Sequence, residues 1–239
     1  MIVLALDTTT RGGSIALVSE GQLREVYAGD PSQTHGRRLP GDILGLLERQ
    51  RTRLVQIDLY AVAAGPGSFT GLRIGIATMQ GFALAHGRGL MGVSALDALR
   101  AAAAVANAAA LGNAGAPALL GVWMDAQRGE VFGALYHGAR LLDGPTVDAP
   151  GTTLRRWKEI GRQRPISFVG DGALAYSDAI LALLPGGATI INPVPPLAPA
   201  IGMLAEQQAA AGESASPHAI RPIYVRRPDA ELARDRTKV

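Results

Sequence analysis

The chain has 239 residues, of which 48% are hydrophobic, with 23 Lys and Arg against 20 Asp and Glu. Such a composition can bury a substantial core, which excludes a wholly disordered chain. The absence of cysteine excludes a disulfide scaffold, a thiol nucleophile and a thiolate metal site. A formal net charge of +3 is too small to indicate a polybasic nucleic-acid surface.

The first half of the chain is predicted to begin with a strand meander and to continue with alternating helices and strands. Short runs rich in Val, Ile and Leu, separated by turn residues, predict the strands. Apolar residues at helical spacing predict one amphipathic helix and a second helix that is apolar nearly all round. The predicted elements are strands over 2–6, 14–19, 23–28 and 59–64, a helix from residue 39 to the arginines at 49–53, a loop over 65–71, and a helix over 72–85.

The second half repeats the pattern of the first. An offset of 118 positions places Asp125 under Asp7, and each copy continues with a predicted hairpin. We therefore predict an α/β fold of duplicated RNase H-like domains with a cleft between them, as in the actin/hexokinase-like (ASKHA) architecture. An Ala/Gly/Asn-rich stretch that ends at Pro117 predicts the boundary between domains 1–112 and 113–239, the second with a C-terminal helix and an Arg-rich tail. The later predicted elements are helices over 152–161, 173–184 and 200–211 and strands over 166–169 and 189–191.

Neither a membrane span nor a secretory signal is predicted. The stretch Ala101–Met124 carries no charge, but its alanines, its glycines and Pro117 argue against a membrane-spanning helix. The apolar run that opens the chain has no basic flank and stops at Asp7, which argues against a signal peptide. These features predict a soluble, cytoplasmic protein without membrane partners.

A glycine-rich sequence, GPGSFTGLRIG, runs from Gly65 to Gly75 between a predicted strand and a predicted helix. Its glycines allow close backbone approach, Ser68 or Thr70 can cap the helix, and N–H groups at a helix start can accept a phosphate or carboxylate. A tightly packed, capped turn without a ligand explains the same residues equally well. The sequence is neither a P-loop nor a Rossmann fingerprint, and no cofactor is predicted. The candidate anion or nucleotide loop comprises Asp7, Thr8, Thr9, Gly65, Gly67, Ser68, Thr70, Gly71 and Arg73.

This loop, together with the sequence LALDTT at 4–9, resembles the TsaB (YeaZ) family. The resemblance covers essentially the whole chain and is strongest up to about Leu96. Its other matching segments are Thr34–His35 with Leu39–Pro40, Gly92–Leu96, Asp125–Val131, Gly170–Gly172 and Pro222–Arg226.

The resemblance implies a non-catalytic subunit of the bacterial machinery that makes N6-threonylcarbamoyladenosine at position 37 of tRNAs reading ANN codons. It implies that the chain is a scaffold and activator that pairs with a catalytic TsaD-like paralogue through the N-terminal domains. A small TsaE-like ATPase would join the pair, and tRNA would bind through the complex. Direct contact between the Arg-rich tail and tRNA stays an open alternative.

The catalytic paralogue holds a metal with a His-x-x-x-His pair, whereas His35 here is followed four residues later by Leu39. A single imidazole without a second ligand one helical turn away binds metal weakly, so no metal site is predicted. The same gap disfavours a second hypothesis, a glycoprotease-like metallopeptidase. A third is a weak ATP-binding phosphotransferase of the ASKHA class, in which Asp7 would hold Mg²⁺ through water and Thr8 and Thr9 would meet phosphate.

The two helices of the first half also carry more apolar surface than one core needs, which indicates a helix-bundle interface with a partner or in a homodimer. Coverage of the chain's own sheet is the open alternative. If the interface exists, Ile43→Asp or Met79→Asp is expected to abolish pairing and leave a folded monomer. The predicted interface residues are Leu39, Ile43, Leu46, Leu47, Leu72, Ile76, Met79 and Ala83.

Overall fold

A computed structural model of the chain describes residues 1–111, 119–162, 164–213 and 215–226. Its first sheet contains β1 (Ile2–Asp7), β2 (Ser14–Ser19), β3 (Gln22–Ala28), β4 (Leu59–Gly65) and β5 (Gly89–Ser94). The strand order is β3-β2-β1-β4-β5, in which β1 to β3 form an antiparallel meander and β4 and β5 run parallel to β1. The predicted meander is therefore confirmed, and β1 is the central strand.

The second sheet has the same topology as the first. Its strands are β6 (Leu119–Asp125), β7 (Val131–His137), β8 (Arg140–Asp148), β9 (Ile166–Val169) and β10 (Ala188–Ile190). Their order, β8-β7-β6-β9-β10, repeats the first sheet with β6 in the place of β1, and β9 runs parallel to β6. This repetition confirms the duplicated α/β domains of the actin/hexokinase-like architecture.

In the described residues seven α-helices pack on the two sheets, and helices cover both faces of the first sheet. They are α1 (His35–Arg49), α2 (Phe69–His86), α3 (Ala95–Leu111), α4 (Pro150–Ile160), α5 (Asp171–Ala175), α6 (Ser177–Leu183) and α7 (Ala198–Ala210). Alternate residues of a strand point to opposite faces, so Leu4 and Leu6 pack with α1 and α2, whereas Val3 and Ala5 face α7. In the described part of the chain no helix has both the length and the apolar composition of a membrane span.

The predicted division into domains 1–112 and 113–239 needs a correction at its C-terminal end. Helix α7 packs on β1, β2 and β4, so it belongs to the first sheet although it follows the second in sequence. It lies close to the strands because Gly202 has no side chain, and a Cβ there would be 3.2 Å from the Cβ of Ala5. Helix α3 contacts both sheets and joins the two halves. The predicted boundary itself, at 112/113, lies outside the described residues.

Helix α1 begins at His35, earlier than the predicted start at Leu39. Pro40 therefore lies inside the helix, where it cannot donate the bond that a residue at this position normally gives to Gly36. The lost bond falls in the second turn of the helix, close to its start.

Helix α2 begins at Phe69 rather than at residue 72. The Ser68 side chain caps it by accepting a hydrogen bond from the backbone N–H of Gly71 at 3.2 Å, as the sequence allows. The helix ends at His86, and Gly87 follows in the left-handed region with φ of 61°. The Ser68 cap and the left-handed Gly87 thus define the two ends of the helix.

Candidate functional site

A cleft of about 990 Å³ lies between the two halves of the molecule. The first half contributes the loop after β1, the start of α1 and the loop before α2, and the second half contributes the β6–β7 turn and the start of α5. The C-terminal segment supplies a further wall, from Ile223 to Arg226. The cleft is the place where the predicted loop residues and the duplicated strand ends meet.

Asp7, at the end of β1, is buried and hydrogen-bonded by its own loop. Its carboxylate accepts hydrogen bonds from the Thr9 backbone N–H at 2.7 Å, the Thr9 hydroxyl at 2.5 Å and the Thr10 hydroxyl at 2.7 Å. These bonds compensate for the loss of water around the carboxylate. Asp7 therefore closes the β1–β2 loop with the oxygens that a bound metal ion would otherwise use.

The glycines of the candidate loop allow it to pack directly on Thr8 and Thr9. A Cβ on Gly67 would lie 2.9 Å from the Cα of Thr9, and a Cβ on Gly71 would overlap the Thr8 carbonyl oxygen. The Thr8 hydroxyl donates to the Gly71 carbonyl at 2.8 Å, and the Ser68 N–H donates to the Thr9 carbonyl at 3.0 Å. The structure thus brings these predicted residues together, and close packing accounts for their glycines without a ligand.

Three other residues of the candidate loop are placed differently. Gly65, at φ of 113°, approaches the C-terminal segment, and a Cβ on it would lie 2.8 Å from the Ile223 carbonyl oxygen. Thr70 is exposed at the mouth of the cleft. Arg73 lies over the Phe69 ring, with its guanidinium carbon 4.0 Å from the ring centroid, and it is not among the residues that line the cleft.

The second half closes its loop in the same way as the first. The Asp125 carboxylate, at the end of β6, accepts hydrogen bonds from the backbone and side-chain N–H groups of Gln127 at 2.9 and 2.6 Å. Asp171 accepts the Asp125 N–H at 3.0 Å and the Gly172 N–H at 2.9 Å. Desolvation, with a smaller contribution from the charge of Asp125, raises the pKa of Asp171. Asp171 is the first residue of α5, and its carboxylate links that helix to the end of β6.

His35 uses both of its ring nitrogens within the protein. Nε2 lies 3.1 Å from the Thr10 carbonyl oxygen, which only accepts, so Nε2 carries the proton. Nδ1 lies 3.0 Å from Nη2 of Arg38 and accepts from it. Burial, and then the charge of Arg38, lowers the pKa of His35, in agreement with a neutral ring. Position 39 is occupied by a leucine that is buried in the core.

Arg38 is the site residue that the sequence analysis missed. It is buried, it bonds the Asp42 carboxylate at 2.5 Å, and it also donates to the Gly12 carbonyl. The signal in the sequence is the spacing of Arg38 and Asp42 by one helical turn, which favours a salt bridge. Among the described residues no three His, Asp or Glu side chains cluster as a metal site would require.

The eight residues predicted as a partner interface are all buried in this chain's own core. All but Leu72 belong to one cluster with Ile57, Tyr60 and residues of β1, β2 and β4, and Ile43 and Met79 have no exposed surface. The assignment of these residues to a partner surface is therefore corrected: they are the inward faces of α1 and α2. For the same reason the expectation that Ile43→Asp or Met79→Asp leaves a folded monomer does not hold, since each would bury a charge. The corrected residues are Leu39, Ile43, Leu46, Leu47, Leu72, Ile76, Met79 and Ala83.

Comparison with known proteins gives consistent matches across most of the chain. The family model described as TsaD, tRNA N6-adenosine threonylcarbamoyltransferase, matches residues 29–234. The Escherichia coli protein TsaB, a tRNA threonylcarbamoyladenosine biosynthesis protein, is 30% identical over 180 residues, which cover 68% of this chain and 76% of that protein. The Bacillus subtilis protein of the same name is 27% identical and covers 97% of this chain and 96% of its own length.

The architecture is also similar to that of a solved relative. The structure of YeaZ from Pseudomonas aeruginosa superimposes with a TM-score of 0.72 at 28% identity, covering 93% of this chain and 99% of that one. On these grounds the chain belongs to the TsaB (YeaZ) family, to which the TsaD family model is related.

Proposed function

We propose that this chain is a non-catalytic subunit in the synthesis of N6-threonylcarbamoyladenosine at position 37 of tRNAs reading ANN codons. In this role it is the scaffold and activator of a TsaD-like catalytic paralogue in the cytoplasm. A TsaE-like ATPase joins the pair, and tRNA binds through the complex. Relatives named as biosynthesis proteins of this tRNA modification support the pathway.

The observation that carries the non-catalytic role is the environment of His35. Its Nε2–H is donated to the Thr10 carbonyl, and its Nδ1 lone pair accepts from Arg38, so neither nitrogen has a lone pair to offer a metal ion. The fixed positive charge of Arg38 would also repel a cation at this position. Both features disfavour the alternative of a glycoprotease-like metallopeptidase.

The phosphotransferase alternative requires an Asp at the end of β1 that faces a nucleotide-bound Mg²⁺. In this chain the oxygens of Asp7 accept three hydrogen bonds from Thr9 and Thr10. A hydrated metal ion would compete for this buried carboxylate with three hydrogen bonds, each worth about 1.5–3 kcal/mol. The loop geometry therefore supports a structural role for Asp7.

For the pairing surface we propose the outward faces of α1 and α2. These two helices lie side by side on one face of the first sheet. Their exposed leucines, Leu44 and Leu84, are 58% and 53% accessible, and the small residues beside them leave room for another helix to approach. A homodimer through the same faces is the alternative assembly. The proposed surface comprises Pro40, Gly41, Leu44, Ala77, Gly81 and Leu84.

The test combines co-purification with the TsaD-like paralogue and an assay of tRNA modification by each protein alone and by both together. We expect activity only from the pair. The variant Leu84→Glu is expected to reduce co-purification and activity together. Leu181→Glu is the matched control, because Leu181 is equally exposed at 51% but lies on α6 in the second half.

Two results would contradict the proposal in different ways. Modification, peptide hydrolysis or ATP cleavage by this chain alone would refute the non-catalytic role. Full pairing by the Leu84→Glu variant would refute the assignment of the surface but leave the role of the subunit intact.

A further inference from the structure

The C-terminal strap, which we define as residues 220–226, first follows the first half of the molecule. The approach to it is held by the Leu90 N–H, which donates to the Ala215 carbonyl at 2.8 Å, and by the Gln80 side chain, which donates to the Pro217 carbonyl at 2.9 Å. The strap itself begins beside β4, where the Ile223 N–H donates to the Ala64 carbonyl at 2.6 Å. The chain therefore arrives at the cleft in a fixed position.

At the mouth of the cleft the strap contacts the start of α2. The Tyr224 ring packs on the Phe69 ring, with their centroids 5.3 Å apart, and Nε of Arg73 donates to the Tyr224 hydroxyl at 3.3 Å. This contact belongs entirely to the first half. It gives the strap a second anchor next to the backbone bond at Ala64.

Two residues later the strap binds the second half. Arg226 donates from Nη1 to the Ala126 carbonyl at 2.7 Å and from Nη2 to the Glu130 carboxylate. Its guanidinium also lies 5.8 Å from the centroid of the Phe132 ring. These three contacts hold the β6–β7 turn, which lines the cleft on the side of the second half.

We infer that the C-terminal strap is a latch that fixes the opening of the cleft. The backbone from Ile223 to Arg226 spans at most about 10 Å when fully extended, and only the Arg226 side chain lies between it and the second anchor, so the cleft mouth cannot widen far while both anchors hold. Helix α3 packs against both sheets and supplies the second connection, about which the halves can turn. Arg226 and Glu130 are partly exposed, so their ion pair can be broken and re-formed at small cost.

Double electron–electron resonance, which measures the distance between two spin labels, tests this inference in the full chain. The absence of cysteine allows Arg24→Cys in β3 and Lys158→Cys in α4 to carry the labels, because both positions are exposed and lie in different halves. The parent labelled protein is expected to give one narrow distance distribution. With Arg226→Ala added, we expect the width of the distance distribution to increase about twofold, because the strap no longer holds the second half of the molecule.

The matched control is Arg221→Ala. Arg221 lies in the same strap, but its side chain donates to the His218 and Ile220 carbonyls of its own segment. We expect this variant to keep the narrow distribution, and circular dichroism checks that every variant is folded. An unchanged distribution in Arg226→Ala overturns the latch, and so does an equal broadening in both variants, since the effect would then not depend on the anchor across the cleft.

Discussion

The packing of the glycine-rich turn predicts that alanine lowers the free energy of unfolding at one glycine of α2 and raises it at another. A methyl group on Gly71 would overlap the Thr8 carbonyl oxygen, and both residues are buried. To relieve the overlap α2 must move away from β1, which also stretches the hydrogen bond from the Thr8 hydroxyl to the Gly71 carbonyl. Overpacking of this kind costs about 3 kcal/mol, and the gain in helix propensity from alanine offsets at most about 1 kcal/mol.

We therefore expect Gly71→Ala to lower the free energy of unfolding by about 2 kcal/mol, or Tm by about 4–8 °C for a chain of this length. Gly81→Ala is the matched control, because Gly81 lies on the exposed side of α2 with no atom within 4 Å of an added Cβ. This variant should gain up to about 1 kcal/mol from helix propensity. Urea unfolding of both variants at low protein concentration measures the two values.

The result discriminates between the two explanations of the turn. If Gly71 exists to let a ligand approach the backbone, alanine at this position would change ligand binding and leave the stability of the free chain unchanged. Equal stability effects at Gly71 and Gly81 would refute the packing argument, because only one of the two has a neighbour that a methyl group meets.

Three further predictions concern the core, His35 and Asp7. Ile43→Asp, in the core, is expected to cost more than about 4 kcal/mol, whereas Leu44→Asp, on the surface, should stay within about 0.5 kcal/mol, as chemical denaturation will measure. The pKa of His35 is lowered by burial and by Arg38, so the unfolded chain binds this proton more readily than the folded chain. Stability is therefore expected to fall as the pH drops below about 6.5. The His35→Gln variant should lose this dependence, as urea midpoints measured at about pH 5 to 7.5 will show. Asp7→Ala, which removes an acceptor of three hydrogen bonds, should cost about 3 kcal/mol, and Asp7→Asn less, in the same unfolding assay.

The duplicated architecture could be predicted from the sequence because its signals are local and occur twice. Each half opens with an apolar run that ends in Asp and continues into a hairpin, and the offset that aligns Asp7 with Asp125 also aligns the central strands of the two sheets. The cap at Ser68 could be predicted for a similar reason, since capping depends on residues within one helical turn.

The direction in which α1 and α2 face could not be obtained from periodicity. Spacing shows that Ile43 and Leu47 share one side of a helix, but it does not show whether that side covers the chain's own sheet or a partner. Helix α2 is harder still, because Ile76 and Met79 are followed by apolar residues on its exposed side as well, such as Leu84. Only the positions of the strands beneath the helices separate these faces.

The contacts of α7 and of the C-terminal strap could not be predicted from the sequence, for a different reason. Glu206 of α7 accepts from the Gly21 N–H, and Arg226 reaches Glu130, so both join residues far apart in sequence. The strap also has no regular periodicity of its own. A segment without periodicity gives no local indication of its partners, which is why the sequence suggested a tail where the structure has an anchored residue.

The equivalence of Asp7 and Asp125 gives the strongest argument about the cleft. Each stands at the end of a central strand, and each accepts a hydrogen bond from the backbone N–H two residues later, at 2.7 Å in the first half and 2.9 Å in the second. Because the bond occurs in both halves, closing the loop explains the carboxylate at each position without a ligand. A cleft whose acidic residues are used in this way keeps the shape of a ligand site but has its main acceptors already engaged. The stability cost of Asp7→Ala therefore measures how much the closure of the first loop depends on its carboxylate.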